Sequence, residues 1–412
     1  MLKFTNLLVW GILFVGVCLI IPTSCQESKT VESHQKDGVE IPTLMDRNEK
    51  IQLGKEWEHV QNEYVKQREA IKKNPKDYEA LLTLAQLYVR EARVTGEHGH
   101  YYPAALAMTD QIIDSKPENQ DIIFMAMTTK AGVELSLHEF DRALRTGREA
   151  IKLNPRNAQI YGVLVDSYVE LGDYETAISM ADKMMSIKPD LRSYSRVSYL
   201  REIHGDVEGA IEAMTMAAES GYPGLEETAW TMLTLGDLYN TYGEPDKAEK
   251  VYEAVLIDRP EYPFAIAALA DLYYDQGDLK KAEETLNKAI NIIPEVGYYV
   301  SLAKIYKDQE RTEEYDEIMD EIFEMLEDDV QSGHNMNLEY AHIYYDVIED
   351  YDKALKYAKI EYGKRPKNID VNRILAEIYL AKDEMDKVDT HIVAASTTNS
   401  KHPELVQIKS KL

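Results

Sequence analysis

Residues 235–260 read LGDLYNTYGEPDKAEKVYEAVLIDRP, and residues 269–294 read LADLYYDQGDLKKAEETLNKAINIIP. The two stretches align without a gap at a spacing of 34 residues, the same spacing that separates Pro155 from Pro189. A fixed period of this size indicates a repeat architecture in which each repeat is one supersecondary unit.

Each period contains two apolar stripes at helical spacing, separated by a break. Tyr161, Leu164 and Tyr168 form the first stripe of one period, and Gly172 ends it because glycine accepts the left-handed conformation that terminates helices. The second stripe begins at Tyr174. Each period is therefore predicted to be a helical hairpin. Since neither helix can bury its stripe alone, successive hairpins are predicted to stack into an all-α solenoid.

The recurring positions resemble those of the tetratricopeptide repeat family. The residues of one period that carry this resemblance are Leu235, Gly236, Tyr239, Ala248, Tyr252 and Pro260. The same scheme recurs in about nine hairpins over residues 77–395. The resemblance implies an all-α fold of tetratricopeptide-repeat helical hairpins, stacked in a right-handed α-α superhelix. It also implies a non-enzymatic scaffold that binds a partner protein or peptide.

In the family, the first helices of successive hairpins line a concave groove that receives the partner. The resemblance places six candidate partner-binding residues in this groove: Asp166, Trp230, Asp237, Phe264, Asp271 and Tyr274. Aromatic residues beside carboxylates favour an amphipathic or basic partner segment. The inner aspartates would repel a terminal carboxylate, the group that some chaperone adaptors of this family clamp. The alternative is that these six are ordinary residues of the helix surface.

Residues 91–103 interrupt the first hairpin and are predicted to form an insertion loop. Loops on a rigid scaffold often carry function. Four of its residues are candidate partner contacts: Arg93, His98, His100 and Tyr101. A metal or small-ligand site built on the two histidines with Glu91 or Glu97 is the alternative function, although zinc sites need three or four ligands. An extended turn between helices is the structural alternative, and neither a metal nor a cofactor is predicted.

Composition and motifs exclude several other function classes. The chain has 412 residues and a formal net charge of -27, and such an acidic surface repels phosphate backbones, so no nucleic-acid partner is predicted. The sequence contains no His-Glu-x-x-His, Gly-x-Ser-x-Gly or phosphate-binding Gly-x-x-x-x-Gly-Lys motif. We therefore predict no enzyme activity.

The N-terminus is predicted to carry a targeting signal. Lys3 precedes the uncharged apolar run Leu7–Ile21, and Cys25 follows two small residues. Residues 1–25 resemble a bacterial lipoprotein signal, in which such a cysteine becomes the lipidated first residue. Pro22 departs from the pattern, so an uncleaved signal anchor is the alternative. Both interpretations predict membrane anchoring outside the cytoplasm, in the bacterial envelope, with the protein facing the periplasm or on the surface.

The remaining segments complete the predicted organisation. Residues 26–45 are polar and are predicted to be a flexible tether. Residues 46–76 are predicted to form an N-terminal capping helix, with Asp46 as its cap. Residues 396–412 are predicted to be a C-terminal tail with a short capping helix from Pro403. The only other cysteine, Cys18, lies in the signal, so the repeat region has no disulfide.

Overall fold

The computed structural model describes residues 40–412, which belong to one compact unit. Regular secondary structure in these residues is entirely helical, and they contain no β-strand. The predicted signal, Cys25 and most of the predicted tether lie outside the described residues. Among the helices of residues 40–412, none is long and apolar enough to span a bilayer.

Nine consecutive helix pairs occupy Tyr78 to Ala395, preceded by α1 (Gly54–Lys73) and followed by α20 (Pro403–Ser410). The pairs, numbered 1 to 9 in chain order, are α2 (Tyr78–Thr95) and α3 (His98–Ser115), α4 (Gln120–Ser136) and α5 (Phe140–Leu153), α6 (Ala158–Glu170) and α7 (Tyr174–Ile187), α8 (Leu191–Ile203) and α9 (Val207–Glu219), α10 (Glu226–Thr241) and α11 (Pro245–Asp258), α12 (Pro263–Asp275) and α13 (Leu279–Ile290), α14 (Val296–Asp308) and α15 (Thr312–Gln331), α16 (Asn337–His342) and α17 (Tyr351–Lys364), and α18 (Ile369–Ala381) and α19 (Met385–Ala395). A π-helical turn, Ile343–Val347, extends α16. The all-α repeat fold predicted from the sequence is confirmed.

Local sequence signals set the ends of the helices in pair 3. The side chain of Asn157 accepts a hydrogen bond from the backbone N–H of Gln159 and so caps α6. Gly172, with φ of +76°, turns the chain, and the Asp173 side chain then caps α7 by accepting from the N–H of Thr176. The pair buries its apolar stripes between the two helices and against the neighbouring pairs.

Small residues stand where the helices of a pair approach most closely. Ala282 of pair 6 is completely buried. On the first helix of pair 5, a Cβ on Gly236 would lie 2.3 Å from Cε1 of Tyr252, so only glycine fits against that ring. The periodic Gly/Ala positions of the sequence therefore mark contacts between backbones.

The segment before pair 1 has a different secondary structure from the one predicted. Instead of starting near Asp46, α1 starts at Gly54, because the preceding chain packs on pair 1 as an extended segment with one 3₁₀ turn, Glu49–Ile51. The carbonyl of Pro42 accepts hydrogen bonds from the hydroxyls of Tyr64 (3.2 Å) and Tyr88 (2.7 Å). The described end of the predicted tether is thus bound to the scaffold.

A buried ion network ties this N-terminal segment to the repeats. The guanidinium of Arg47 donates to both carboxylate oxygens of Glu91, each at 2.8 Å, and both side chains are fully buried. Arg47 also contacts Glu56 of α1 at 2.7 Å, and Glu56 in turn contacts Arg259 at 3.0 Å. Since removing one member of such a network leaves a buried unpaired charge, the network fixes α1 between pair 1 and the end of pair 5.

The predicted insertion loop at residues 91–103 is not a loop. Helix α2 continues to Thr95, only Gly96 and Glu97 connect the helices, and α3 begins at His98. The additional residues lengthen both helices of pair 1, because Gly96 (φ +76°) reverses the chain in a very short turn.

Successive turns of the superhelix touch each other. The N–H of Asn335 donates to the carbonyl of Leu137 at 3.1 Å, and the N–H of Ile369 donates to the hydroxyl of Tyr174 at 2.8 Å. The partners in the second contact are 195 residues apart in the chain. Pair 3 therefore meets the junction between pairs 8 and 9, and one turn of the superhelix contains between five and six pairs.

Side chains reinforce this contact between turns, which we call the inter-turn seam. Arg365 forms an ion pair with Glu170, and its guanidinium lies 4.7 Å from the ring centre of Phe140. The side-chain amide of Asn368 donates to the carbonyl of Glu170 at 3.1 Å. Both backbone and side-chain hydrogen bonds thus close the superhelix on itself.

The turn glycine of pair 3 has a second role at the seam. A Cβ on Gly172 would lie 2.5 Å from the Cβ of Lys367 in the next turn. Gly277, at the equivalent turn of pair 6, has nearly the same φ (+80°) but no atom within 4 Å of the added Cβ. The two glycines therefore differ in their contact with a neighbouring turn and not in backbone conformation.

We expect Gly172→Ala to loosen the superhelix and Gly277→Ala to leave its dimensions unchanged. The positive φ costs each variant about 1–2 kcal/mol, and the collision at the seam costs Gly172→Ala roughly 1–3 kcal/mol more. Thermal melting and the radius of gyration from small-angle X-ray scattering measure the two effects. Equal losses of stability and an unchanged radius in both variants would show that the seam does not constrain the superhelix.

Candidate binding channel

The first helices of the pairs turn their exposed residues toward the inside of the superhelix. Gln86, Gln159, Tyr199 and Asp237, from four different pairs, are all on this inner face and open to solvent. Because the turns touch at the seam, the inner face forms an enclosed channel. Tyr199 lies on this face with 37% of its surface exposed, and burial by the surrounding protein raises its pKa well above the ordinary value.

Two adjoining cavities, of about 660 and 480 Å³, open along the channel between α1 and α10. These volumes lie within the range of ligand-binding pockets. Four residues line both cavities: Arg93, Arg192, Arg196 and Glu227. Arg90 lines the larger cavity and Trp230, which is 42% exposed, lines the smaller.

The four arginines Arg90, Arg93, Arg192 and Arg196 are named here the arginine cluster. They come from α2 and α8, the first helices of pairs 1 and 4. Sequence reasoning missed Arg90, Arg192 and Arg196, because it took groove positions only from pairs 3, 5 and 6. The signal was present: Arg192 and Arg196 are four residues apart and therefore share one face of a helix.

Carboxylates dominate the channel beyond the arginine cluster. Glu202, Asp237 and Asp271 come from α8, α10 and α12 and are named here the acidic cluster. Burial raises the pKa of Glu202 and Asp271 and raises that of Asp237 to about 6, with the charge of Asp271 adding to the effect on Asp237. Asp237 and Asp271 are open to solvent, so the raised pKa reflects the protein that surrounds the channel.

The six predicted groove residues fall into distinct environments. Asp166 accepts hydrogen bonds from both Nε and Nη2 of Arg196, at 2.8 and 2.6 Å. Trp230 lines the smaller cavity. Asp237 accepts a hydrogen bond from the hydroxyl of Tyr252 at 2.7 Å. These three residues face the part of the channel that the cavities and the acidic cluster occupy.

The other three predicted groove residues bind their neighbours. Phe264 is half-buried between the rings of Tyr262 and Tyr298, at centroid distances of 5.3 and 6.2 Å, and so contributes to packing. Asp271 accepts a hydrogen bond from Ser301 at 2.9 Å. Tyr274 donates from its hydroxyl to Asp308 at 2.7 Å.

The four candidate partner contacts of residues 91–103 also lie in different environments. Arg93 reaches the channel, where it lies 3.6 Å from Glu226. The ring of His98 stacks on His334 of the next turn at 5.4 Å, and burial, together with His334, lowers the pKa of His98 to about 4. The side chains of His100 and Tyr101 hold the N-terminal segment, through the carbonyl of Thr43 (2.8 Å) and the N–H of Met45 (3.0 Å).

Residues 40–412 contain no group of three or more His, Cys, Asp or Glu side chains arranged to hold a metal ion. His98 and His100 point to different partners, one across the seam and one to the N-terminal segment. The structure therefore provides no observation that favours the metal-binding alternative at residues 91–103.

Residues 129–190 and residues 231–305 each match the tetratricopeptide repeat family. With the nine helix pairs, these matches show that the chain contains tetratricopeptide repeats. No curated protein sequence matches it.

Several solved structures share the helical repeat fold. One is the crystal structure of the APC/C hetero-tetramer Cut9-Hcn1, with 15% sequence identity and a TM-score of 0.42. The match covers 83% of this chain and 56% of that chain. Pseudomonas aeruginosa pilF is 16% identical over 56% of this chain and 96% of its own, with a TM-score of 0.40. A tetratricopeptide repeat protein from Parabacteroides merdae has 16% sequence identity and a TM-score of 0.42, and the match covers 62% of this chain and 98% of that chain. Similarities at this level carry no inference about function.

We expect Asp237→Asn to raise the melting temperature at pH 8 and to raise it by less at pH 5. The raised pKa means that the folded protein binds this proton more tightly than the unfolded chain, whose aspartates titrate near pH 4. The resulting stability is complete below pH 4 and is lost as the pH rises through about 6. Asparagine stays neutral at every pH and can still accept the hydrogen bond from Tyr252.

The matched control is Glu253→Gln, which removes one negative charge from the exposed side of α11 in the same helix pair. Melting curves of both variants between pH 5 and pH 8 separate a local effect from a change in net charge. A larger loss of stability for Asp237→Asn at pH 8 than at pH 5 would show that the folded protein prefers the ionised carboxylate.

Proposed function

We propose that this protein is a non-enzymatic interaction scaffold of the cell envelope, which binds a segment of a partner protein in the channel. Tetratricopeptide repeats generally mediate protein–protein interaction, and two stretches of the chain match that family. The observation that carries the proposal is the pair of adjoining cavities, which first helices of successive repeats line along the inner face.

The lining of the cavities suits a protein segment. Apolar side chains such as Val89, Val163 and Met184 alternate with arginines and with amide groups such as Gln159. Trp230 supplies a large, partly exposed aromatic surface of the kind that dominates binding energy at protein interfaces. The channel thus combines apolar contact area with polar groups that can orient a peptide.

The envelope location in this proposal rests on the N-terminal sequence. Lys3, the apolar run Leu7–Ile21 and Cys25 support a lipoprotein signal, and residues 26–39 supply a polar connection to the described scaffold. The lipid on Cys25 would hold the scaffold at a membrane surface while the channel binds its partner. An uncleaved signal anchor would give the same placement.

We expect a photo-crosslinking residue at Gln159 to capture a discrete partner protein in cells. Gln159 is exposed and lines the larger cavity. Adding Trp230→Ala should remove about 2 kcal/mol or more of binding free energy and so abolish the crosslink. Tyr222→Ala is the matched control, because Tyr222 is an exposed aromatic residue (76%) in the α9–α10 connection that lines neither cavity.

A second crosslinking position tests the choice of surface. Arg145 is exposed on α5, a second helix, and lines neither cavity. If the partner crosslinks from Arg145 and not from Gln159, or if Trp230→Ala leaves the crosslink from Gln159 intact, then binding in the channel is wrong.

We expect Cys25→Ala to abolish incorporation of a labelled fatty acid and to release the protein from the membrane fraction. A myristoyl-sized chain alone binds membranes only marginally, so a lipoprotein depends on its full lipid modification. Cys18→Ala is the control, since Cys18 lies within the predicted signal. If the Cys25 variant remains in the membrane at its full length, the N-terminus is an uncleaved anchor.

A further inference from the structure

The arginine cluster concentrates positive charge in an otherwise strongly acidic protein. The chain has a formal net charge of -27, yet Arg90, Arg93, Arg192 and Arg196 line the two adjoining cavities together. Guanidinium groups bind carboxylates and phosphates through planar, paired hydrogen bonds. This part of the channel therefore has the chemistry to bind an anionic group.

Two of the four arginines have hydrogen-bonding capacity that the protein itself does not use. Arg90 is exposed and forms no ion pair within residues 40–412. The guanidinium of Arg93 lies 3.6 Å from Glu226, beyond hydrogen-bond distance, and about half of its side chain is exposed. Both groups can bind an incoming anion without leaving a strong partner.

The other two arginines are held by carboxylates of the channel wall. Arg196 forms two hydrogen bonds with Asp166, and Arg192 contacts Glu227 at 3.0 Å with both side chains about half exposed. Exposed ion pairs contribute little net free energy, so a ligand carboxylate can replace Glu227 on Arg192 at small cost. Arg196, with its two hydrogen bonds to Asp166, is expected to stay in place and to shape the cavity.

The cavity lining favours a peptide over a polyphosphate. A polyphosphate carries closely spaced charges and needs several cations that converge on it without competing anions. Here Glu226, Glu227 and Asp166 alternate with the arginines, and apolar residues such as Val89 and Trp230 lie between them. A chain with separated carboxylates and apolar side chains matches this alternation.

We propose that the arginine cluster binds an acidic segment of the partner protein. Its carboxylates pair with Arg90 and Arg93 and replace Glu227 on Arg192, while an apolar side chain packs on Trp230. This inference rests on the proposed function of the channel and adds the chemistry of the partner.

The sequence favoured a basic or amphipathic partner because of Asp166, Asp237 and Asp271. That argument does not apply to the cavities, because Asp166 forms an ion pair with Arg196 there. Asp237 and Asp271 belong to the acidic cluster, and neither lines the two cavities. The other carboxylates that line the cavities also face arginines: Glu56 pairs with Arg47 and Arg259, Glu170 with Arg365, and Glu227 with Arg192, while Glu226 lies 3.6 Å from Arg93. Arg90 lines the larger cavity without an ion pair within residues 40–412, so the charge left unpaired at the cavities is positive.

The test is selection of random twelve-residue peptides, displayed as a library, on the full-length protein. We expect the bound pool to be enriched in Asp and Glu at two or more positions, with an apolar residue nearby. Binding of selected peptides, measured by fluorescence anisotropy, should weaken when the salt concentration rises, because the paired charges are partly exposed.

Two variants connect the selected peptides to the cluster. Arg90→Gln and Arg93→Gln should each weaken binding about tenfold, the effect of losing one charge-assisted hydrogen bond. Arg145→Gln is the matched control, since Arg145 is an exposed arginine that lines neither cavity. Circular dichroism checks that each variant is folded.

The remaining outcomes would overturn the inference. One such outcome is a selected pool that is enriched in Lys and Arg, or in no charged residue. If Trp230→Ala still abolishes the binding of these peptides, the acidic partner is refuted and the proposed function of the channel is retained. Acidic peptides that bind the Arg90 and Arg93 variants as well as the wild type would place their site elsewhere. If no peptide is selected and calorimetry shows inorganic triphosphate binding that depends on Arg90, the cluster is a polyphosphate site and both proposals fail.

Discussion

The contact between successive turns of the superhelix determines the character of the inner surface. Without it, nine stacked helix pairs would present an open groove in which charged side chains stay fully hydrated. The hydrogen bonds of Tyr174 and Leu137 to the next turn, with the ion pair between Arg365 and Glu170, close that groove into a channel. Protein then surrounds the inner residues, and the raised pKa of Asp237 and Tyr199 follows from this enclosure.

Much of the fold could be predicted from the sequence because it depends on local and neighbouring contacts. The 34-residue period, the turn glycines and the small residues such as Gly236 and Ala282 report contacts within a pair or between adjacent pairs. The inter-turn seam could not be predicted in this way. Its partners are 195 residues apart, and small changes of angle at each joint add up before two turns meet.

The candidate site was only partly predictable for the same reason. Family positions located Trp230, Asp166 and Asp237 on the inner face, but they did not show which charges neutralise each other there. Asp166 looked like an acidic contact, and the structure pairs it with Arg196. The net charge of -27 likewise describes the whole surface, whereas the charge that a ligand meets depends on the few side chains that line the cavities.

Two of the irregular repeats contribute contacts to the seam beside the regular pair 3. The helices of pair 1 are longer than the period requires, and this brings His98 onto His334 of the next turn. Pair 2 contributes Leu137 and His138, which contact Asn335 just after the long helix α15. A perfectly periodic array would offer the same surface at every pair and so would have no reason to close at a particular register. Departures from the repeat therefore add contacts between turns that differ from one pair to the next, and such contacts help to fix the register between the turns.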